Sequence, residues 1–145
     1  MYTYQDCIYL ERTWSSVKQE AWFKLKGKDF RGELELPNAC GSLLVESAYE
    51  SIKKQTFTLE FRQGGEVLRL QHNDFHSTLK SLLQENRILP WWRPRIPLLY
   101  SGSDLVAVAD LWINANWLEQ QENSDFKLIW RHRPRIMAED ITSID

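Results

Sequence analysis

Hydrophobic and polar residues alternate along this chain in short bursts separated by turn-forming residues. Across residues 32–36, Leu34 and Leu36 fall on one side and Glu33 and Glu35 on the other. A period of two marks a strand with one buried face. Pro37-Asn38-Ala39-Cys40-Gly41 breaks that strand and residues 43–45 resume it, which predicts a hairpin-like β unit. Phe57, Leu59 and Phe61 alternate with Thr58, Glu60 and Arg62 in the same way. Gln63-Gly64-Gly65-Glu66 then predicts a turn, and residues 67–70 a short extended segment. Nearer the N-terminus, residues 8–10 and 22–25 read as strands, residues 26–29 as a turn, and residues 50–54 as a polar link.

The period lengthens once. From residue 75 to 86, Phe75, Leu79, Leu82 and Leu83 share one face at 100° per residue, with Asn73 or Asp74 as N-cap. Ser77, Lys80, Gln84 and Arg87 line the opposite face. Pro90, Pro94 and Pro97 forbid further helix. Residues 98–100 return as a strand, Ser101-Gly102-Ser103 turns, and residues 105–113 read as one buried strand. A loop carrying Asn114, Asn116 and Asn123 leads to a last strand over 126–131 and a tail over 137–145. Small mixed or antiparallel sheets around one main helix make the fold class α+β. The organisation expected is a β-rich segment over 1–54 packed on or leading into a main domain over 55–135, followed by a tail over 136–145.

Composition narrows the function. The 145 residues are 43% apolar and 26% charged, as in a soluble globular protein long enough to build a core. Seven Trp must pack inside or wait for a partner. The net charge of -2 argues against a general polyanion binder. The charges are unevenly placed, however. Asp104, Asp110, Glu119, Glu122 and Asp125 occur with no base among them, whereas Lys127, Arg131, Arg133 and Arg135 occur with no acid. A basic face can therefore exist on an acidic molecule. Cys7 and Cys40 are too few for a disulfide framework, and no apolar run approaches the ~20 residues that span a bilayer. A reducing, cytoplasmic setting with free thiols and no membrane contact is the expectation.

Candidate chemistry is sparse. His72 and His76 have helical metal-ligand spacing, but no HExxH motif or third ligand accompanies them, so a polar helix start is the preferred reading. No GxSxG elbow and no Walker loop occurs. No catalytic residue and no metal ligand is nominated.

One region is informative. Phe61-Arg62-Gln63-Gly64-Gly65-Glu66 precedes Leu79-Lys80-Ser81-Leu82-Leu83-Gln84-Glu85; Pro90-Trp91-Trp92-Arg93, Arg95-Ile96-Pro97-Leu98-Leu99-Tyr100 and Leu105-Val106-Ala107-Val108-Ala109-Asp110-Leu111-Trp112 follow. In that order and spacing, residues 33–131 resemble the C-terminal domain of bacterial tRNA(Ile)-lysidine synthetases. The resemblance implies a fold similar to a domain of the phenylalanyl-tRNA synthetase β-subunit. It also implies a cytoplasmic role in tRNA modification. Those ligases join lysine to the wobble cytidine of a minor isoleucine tRNA, with ATP bound in an N-terminal domain marked by Ser-Gly-Gly-x-Asp-Ser. That motif does not occur in this sequence, so the chain is expected to be a fragment or separated domain, inactive alone and without a cofactor of its own. Its implied partners are the tRNA acceptor stem and the catalytic domain. Three positions depart from the family pattern: Leu70-Gln71-His72-Asn73-Asp74 lacks the usual basic residues, Asp110 stands where Gly is usual, and Leu89 replaces the first Pro of Pro-Pro-Trp.

Arg62, Arg69, Lys80, Arg93 and Arg95 are the nucleic-acid candidates, since A-form stems are met through phosphate and 2′-OH contacts that Arg and Lys suit. The competing reading makes them solvated charges or partners of Glu60, Glu66 and Glu85. Trp91 and Trp92 either stack on terminal bases or pack, with packing preferred for Trp91; Trp112 and Trp130 are expected in the core. Glu66 is read as fixing backbone at the Gly-Gly turn, and Asp110 as a bulge or edge feature. The alternative for the whole chain is an interdomain-packing or protein-interaction module without RNA contact.

Overall fold

Alternation in the sequence becomes antiparallel pairing in the computed structural model, which describes residues 2–4, 7–9, 16–48, 50–71, 74–121 and 125–137. Chain order runs β1 (Tyr2–Tyr4), β2 (Cys7–Tyr9), α1 (Ser16–Phe23), β3 (Asp29–Phe30), β4 (Glu33–Glu35), β5 (Ser42–Glu46), α2 (Glu50–Lys53), β6 (Phe57–Glu60) and β7 (Val67–Arg69). It continues with β8 (His76–Thr78), α3 (Leu79–Glu85), a 3-10 turn (Arg93–Arg95), β9 (Leu98–Ser101), β10 (Asp104–Val108), β11 (Trp112–Ile113), α4 (Ala115–Glu119) and β12 (Lys127–Arg131). A five-stranded sheet has the order β11-β10-β9-β6-β3, and a three-stranded sheet the order β12-β5-β4. The hairpins β1–β2 and β7–β8 stand apart from both. The class is α+β, as expected.

Both larger sheets join strands distant in sequence, most of all the three-stranded one, which pairs β5 with β12. Phe30 pairs with Phe57, and Leu43 with Trp130. One apolar cluster runs through them, with Leu43, Leu59 and Leu99 fully buried. Truncating any of these to Ala would cost about 2–5 kcal/mol. Phe57 packs against Phe30, Trp117 and Phe126 with ring centroids 6.0–6.3 Å apart. The β4–β5 connection needs glycine at Gly41, where φ is +83° and a Cβ would lie 1.7 Å from the Arg131 carbonyl oxygen.

Several expectations are corrected. The helix begins at Leu79, not at residue 75: Val67–Arg69 captures His76–Thr78 as a partner strand, and the Thr78 hydroxyl caps the helix by accepting the Ser81 N–H at 3.2 Å. Phe75 is therefore 78% exposed instead of lying on the buried face. The helix end at Asn86 is as expected: Arg87 adopts φ +56° while Arg87 N donates to Gln84 O and Ile88 N to Leu83 O, a left-handed cap closed by the buried Ile88. Residues 105–113 are not one strand. Ala109, at φ +45°, reverses the chain so that Val108 pairs with Trp112 in a hairpin, and Ala109 N donates to Pro97 O at 2.9 Å.

Residues 22–25, read as a strand, are the end of α1 and the turn after it; Trp22 buries against Phe61 and Trp92. Residues 50–54, read as a polar link, contain α2, whose Ile52 is 1% exposed. The expected Asn114–Asn116 loop is the start of α4, with the Asn114 side chain accepting the Asn116 N–H. These three are cases of short segments whose apolar spacing is too brief to distinguish periods. His72, Asn73, Asn123 and the tail beyond residue 137 lie outside the described residues. Among the described residues no helix is long and apolar enough to cross a membrane.

Candidate nucleic-acid interface

The 3-10 turn after the Trp91-Trp92 pair presents two of the five basic candidates. Arg93 Nε donates to the Ile88 carbonyl at 2.9 Å, and an Arg95 guanidinium nitrogen donates to the Trp91 carbonyl. Both guanidiniums are partly buried and held by backbone, with the chain on either side pinned by Trp92, 4% exposed, and Ile96, 1% exposed. Trp92 rather than Trp91 is the core residue of the pair; Trp91 is half-buried against the cluster. Trp130 is in the core as expected, while Trp112 is only partly buried.

Arg69 serves a different element. Its backbone N–H donates to Asn114 Oδ1 at 3.3 Å, its Nε donates to Asn116 Oδ1 at 2.9 Å, and its guanidinium pairs with Glu119. Asn114 also donates to Leu105 O. The network clamps α4 onto the β7–β8 hairpin. With the Asn116 oxygen engaged by Arg69, its amide nitrogen faces His76 Nε2 at 2.8 Å, so the imidazole accepts there. Only 15% of the Arg69 side chain is exposed. The Asn-x-Asn spacing that builds this clamp is visible in the sequence, but reads there only as loop.

Lys80 and Gln84 are exposed on α3, opposite the buried Leu79, Leu82 and Leu83. Arg62 follows the buried Phe61 at the end of β6 and is half-buried. Arg93 and Arg95 are thus brought together by one turn, and Arg62 adjoins Phe61, which shares a cleft with Arg95. Arg69 belongs to the α4 clamp, and Lys80 to α3.

The Gly-Gly turn is not an anion cradle. The Glu66 carboxylate accepts the N–H of Gln63 at 2.8 Å and of Gly64 at 3.1 Å, so it fixes backbone as the sequence suggests and fills the place that a phosphate would need. An open cavity of about 480 Å³ lies beside it, with Glu60, Glu66 and Tyr100 in its walls. Burial, and then the charges of Glu66 and Glu60, push the Tyr100 phenol above its ordinary 10.0. That field repels phosphate. Among the described residues no group of three or more metal-ligating side chains occurs. Cys40 is a buried free thiol; the Cys7 side chain lies outside what is described.

Comparison with known proteins bears on residues 57–130, half of the chain, which match the model of the TilS substrate C-terminal domain. The tRNA(Ile)-lysidine synthase of Coxiella burnetii is 36% identical over 85 residues, covering 55% of this chain and 19% of that protein. The Legionella pneumophila (strain Lens) enzyme of the same name is 34% identical over 103 residues, 66% of this chain and 23% of the relative. That of Xanthomonas axonopodis pv. citri is 30% identical over 122 residues, 80% and 26% respectively. The chain thus spans about a fifth to a quarter of the curated relatives it matches. With the matched stretch running from β6 through β12, this chain belongs to the TilS substrate C-terminal domain family.

Proposed function

We propose that this chain is the tRNA-holding C-terminal part of a tRNA(Ile)-lysidine synthase, a ligase that uses ATP to attach lysine to the wobble cytidine of a minor isoleucine tRNA. The observation that carries the reading is family membership over residues 57–130, in relatives that are all named for that reaction. Chemistry and ATP belong to the remainder of such an enzyme, and this part grips the acceptor stem. An A-form stem hides its bases in a narrow major groove, so the grip works through phosphates and 2′-hydroxyls. Lys80 and Arg62 supply charge for this, and the Arg93–Arg95 turn supplies guanidiniums already oriented by backbone carbonyls.

One set of contacts favours a second reading. Arg69, Arg93 and Arg95 all donate within the domain, which suits a packing module equally well. Titration of the minor isoleucine tRNA at several salt concentrations separates the two. Phosphate contacts give a steep salt slope, and the Arg62→Ala/Lys80→Ala double variant should flatten it by about one unit per lost contact without lowering the melting temperature. Parent and variant binding equally at every salt concentration would transfer the function to packing. The chain incubated with ATP, lysine and this tRNA is expected to give no product above a heat-killed control.

A further inference from the structure

The last turn of α1 leaves an aromatic side chain in solvent beside a cleft. Phe23 is 64% exposed, one of the few large apolar side chains so placed among the described residues. Together with Trp22, Phe61, Pro94 and Arg95 it lines a cavity of about 200 Å³. That volume lies below the ~300–1,000 Å³ of sites for drug-sized ligands and suits a single flat ring system. The floor is rigid: Trp22, 2% exposed, meets Phe61 edge-on at 6.1 Å and Trp92 at 6.2 Å. Arg95 enters the wall with its guanidinium tethered to the Trp91 carbonyl.

Arg95 is the cation in the cleft wall, and a lysine-bearing turn, with the Glu60 carboxylate near its Gly27, follows Phe23. Phe23 is followed by Lys24, Lys26 and Lys28, all exposed, with no acid between Trp22 and Lys28. None of the three lysines pairs with a carboxylate among the described residues. Their turn is anchored, since Lys26 N donates to Phe23 O at 3.1 Å and Gly27 N to Leu59 O at 2.6 Å, on the strand that leads to Phe61. An aromatic face next to lysines on an anchored turn is a combination that binds single-stranded nucleic acid, with bases stacking and lysines following the backbone. Five residues are far short of the ~20–30 per side in a stable protein interface.

We propose that this cleft takes one unpaired nucleobase of an RNA strand, with Phe23 as the stacking face and Lys24, Lys26 and Lys28 meeting the adjoining phosphates. The proposal rests on the RNA-binding reading above and adds a single-strand subsite to it, built largely from residues 22–28, outside the matched family stretch. The test compares two labelled hairpin RNAs with the same stem, one blunt and one with a four-nucleotide unpaired 3′ tail, by fluorescence anisotropy on the full chain. The tail should tighten binding about tenfold or more. Phe23→Ala should abolish that gain and leave blunt-hairpin affinity unchanged; Phe23→Trp should retain it and Phe23→Leu should not, which separates stacking from mere apolar contact. A Lys24→Ala/Lys26→Ala/Lys28→Ala variant should flatten the salt slope for the tailed RNA alone. Equal binding of blunt and tailed RNA overturns the subsite while leaving stem binding intact. Loss of the tail's advantage in none of the Phe23 variants also overturns it and places the tail elsewhere on the molecule. Failure of both RNAs to bind overturns the subsite and the RNA-binding reading together.

Discussion

The carboxylate of Asp110 accepts the backbone N–H of Trp130 at 3.0 Å, joining the turn between β10 and β11 to the outer edge of β12. β12 is the edge of its sheet, bonded to β5 on its other side. An uncovered edge exposes unpaired N–H groups to other chains, and Asp110 occupies one of them. Arg133 lies 3.8 Å from the other carboxylate oxygen. Asp110 thus clamps the edge of β12 to the β10–β11 turn.

Removing this clamp is expected to destabilise the fold. Asp110→Ala should lower stability by about 1–3 kcal/mol, because the Trp130 N–H loses a charge-assisted partner at a partly buried site. Arg133→Ala should cost under ~1 kcal/mol, since that pair is long and partly solvated. Chemical denaturation of both variants checks the order; an Arg133 effect larger than that of Asp110 would show that the ion pair, not the backbone bond, holds the edge.

Arg69 and Asn116 should behave as one unit. Either truncation frees α4 from the β7–β8 hairpin, so Arg69→Ala and Asn116→Ala should each cost about 1–2 kcal/mol. The double variant should cost less than their sum, with a coupling of about 0.5 kcal/mol or more in a double-mutant cycle. Lys80→Ala, exposed on α3, should leave the melting temperature unmoved. Additive losses at Arg69 and Asn116 would dissolve the clamp.

Alkaline pH should test the acidic wall at Tyr100. Its phenol titrates above the ordinary 10.0 because burial, Glu66 and Glu60 disfavour the phenolate. The folded state therefore holds this proton more tightly than the unfolded chain, and stability must fall as pH rises from about 10 through the folded value. Tyr100→Phe should remove this residue's share of the decline, while Glu66→Gln should reduce it. Parallel stability-versus-pH curves for parent and Tyr100→Phe above pH 10 would contradict the assignment.

Where a segment alternated over several residues and carried its own turn, its structure was legible. Leu34 and Leu36, then Phe57, Leu59 and Phe61, announced their buried faces because a strand with one dry side has no other way to place them. The motif order between Phe57 and Trp112 likewise carried the family, and Glu66 beside two glycines carried its backbone role. Legibility failed where distant residues decided a local choice. His76–Thr78 fits a helix by spacing, yet Val67–Arg69 offers it backbone partners, and Phe75 is left in solvent. Residues 105–113 read as one apolar strand, yet the Pro97 carbonyl and the Asp110–Trp130 bond reward a reversal at Ala109. The basic candidates show the same division. Residue type alone marked Arg69, Arg93 and Arg95 as able to meet phosphate, but Asn116 and the carbonyls of Ile88 and Trp91 determine where each guanidinium sits. The sequence by itself determined the alternating strands, the α+β class and the family; tertiary structure decided the helix start, the β10–β11 reversal and the cleft at Phe23. The physical reason is that periodicity records which side of a segment is dry, whereas hydrogen-bond partners and cavity walls come from residues far apart in the chain.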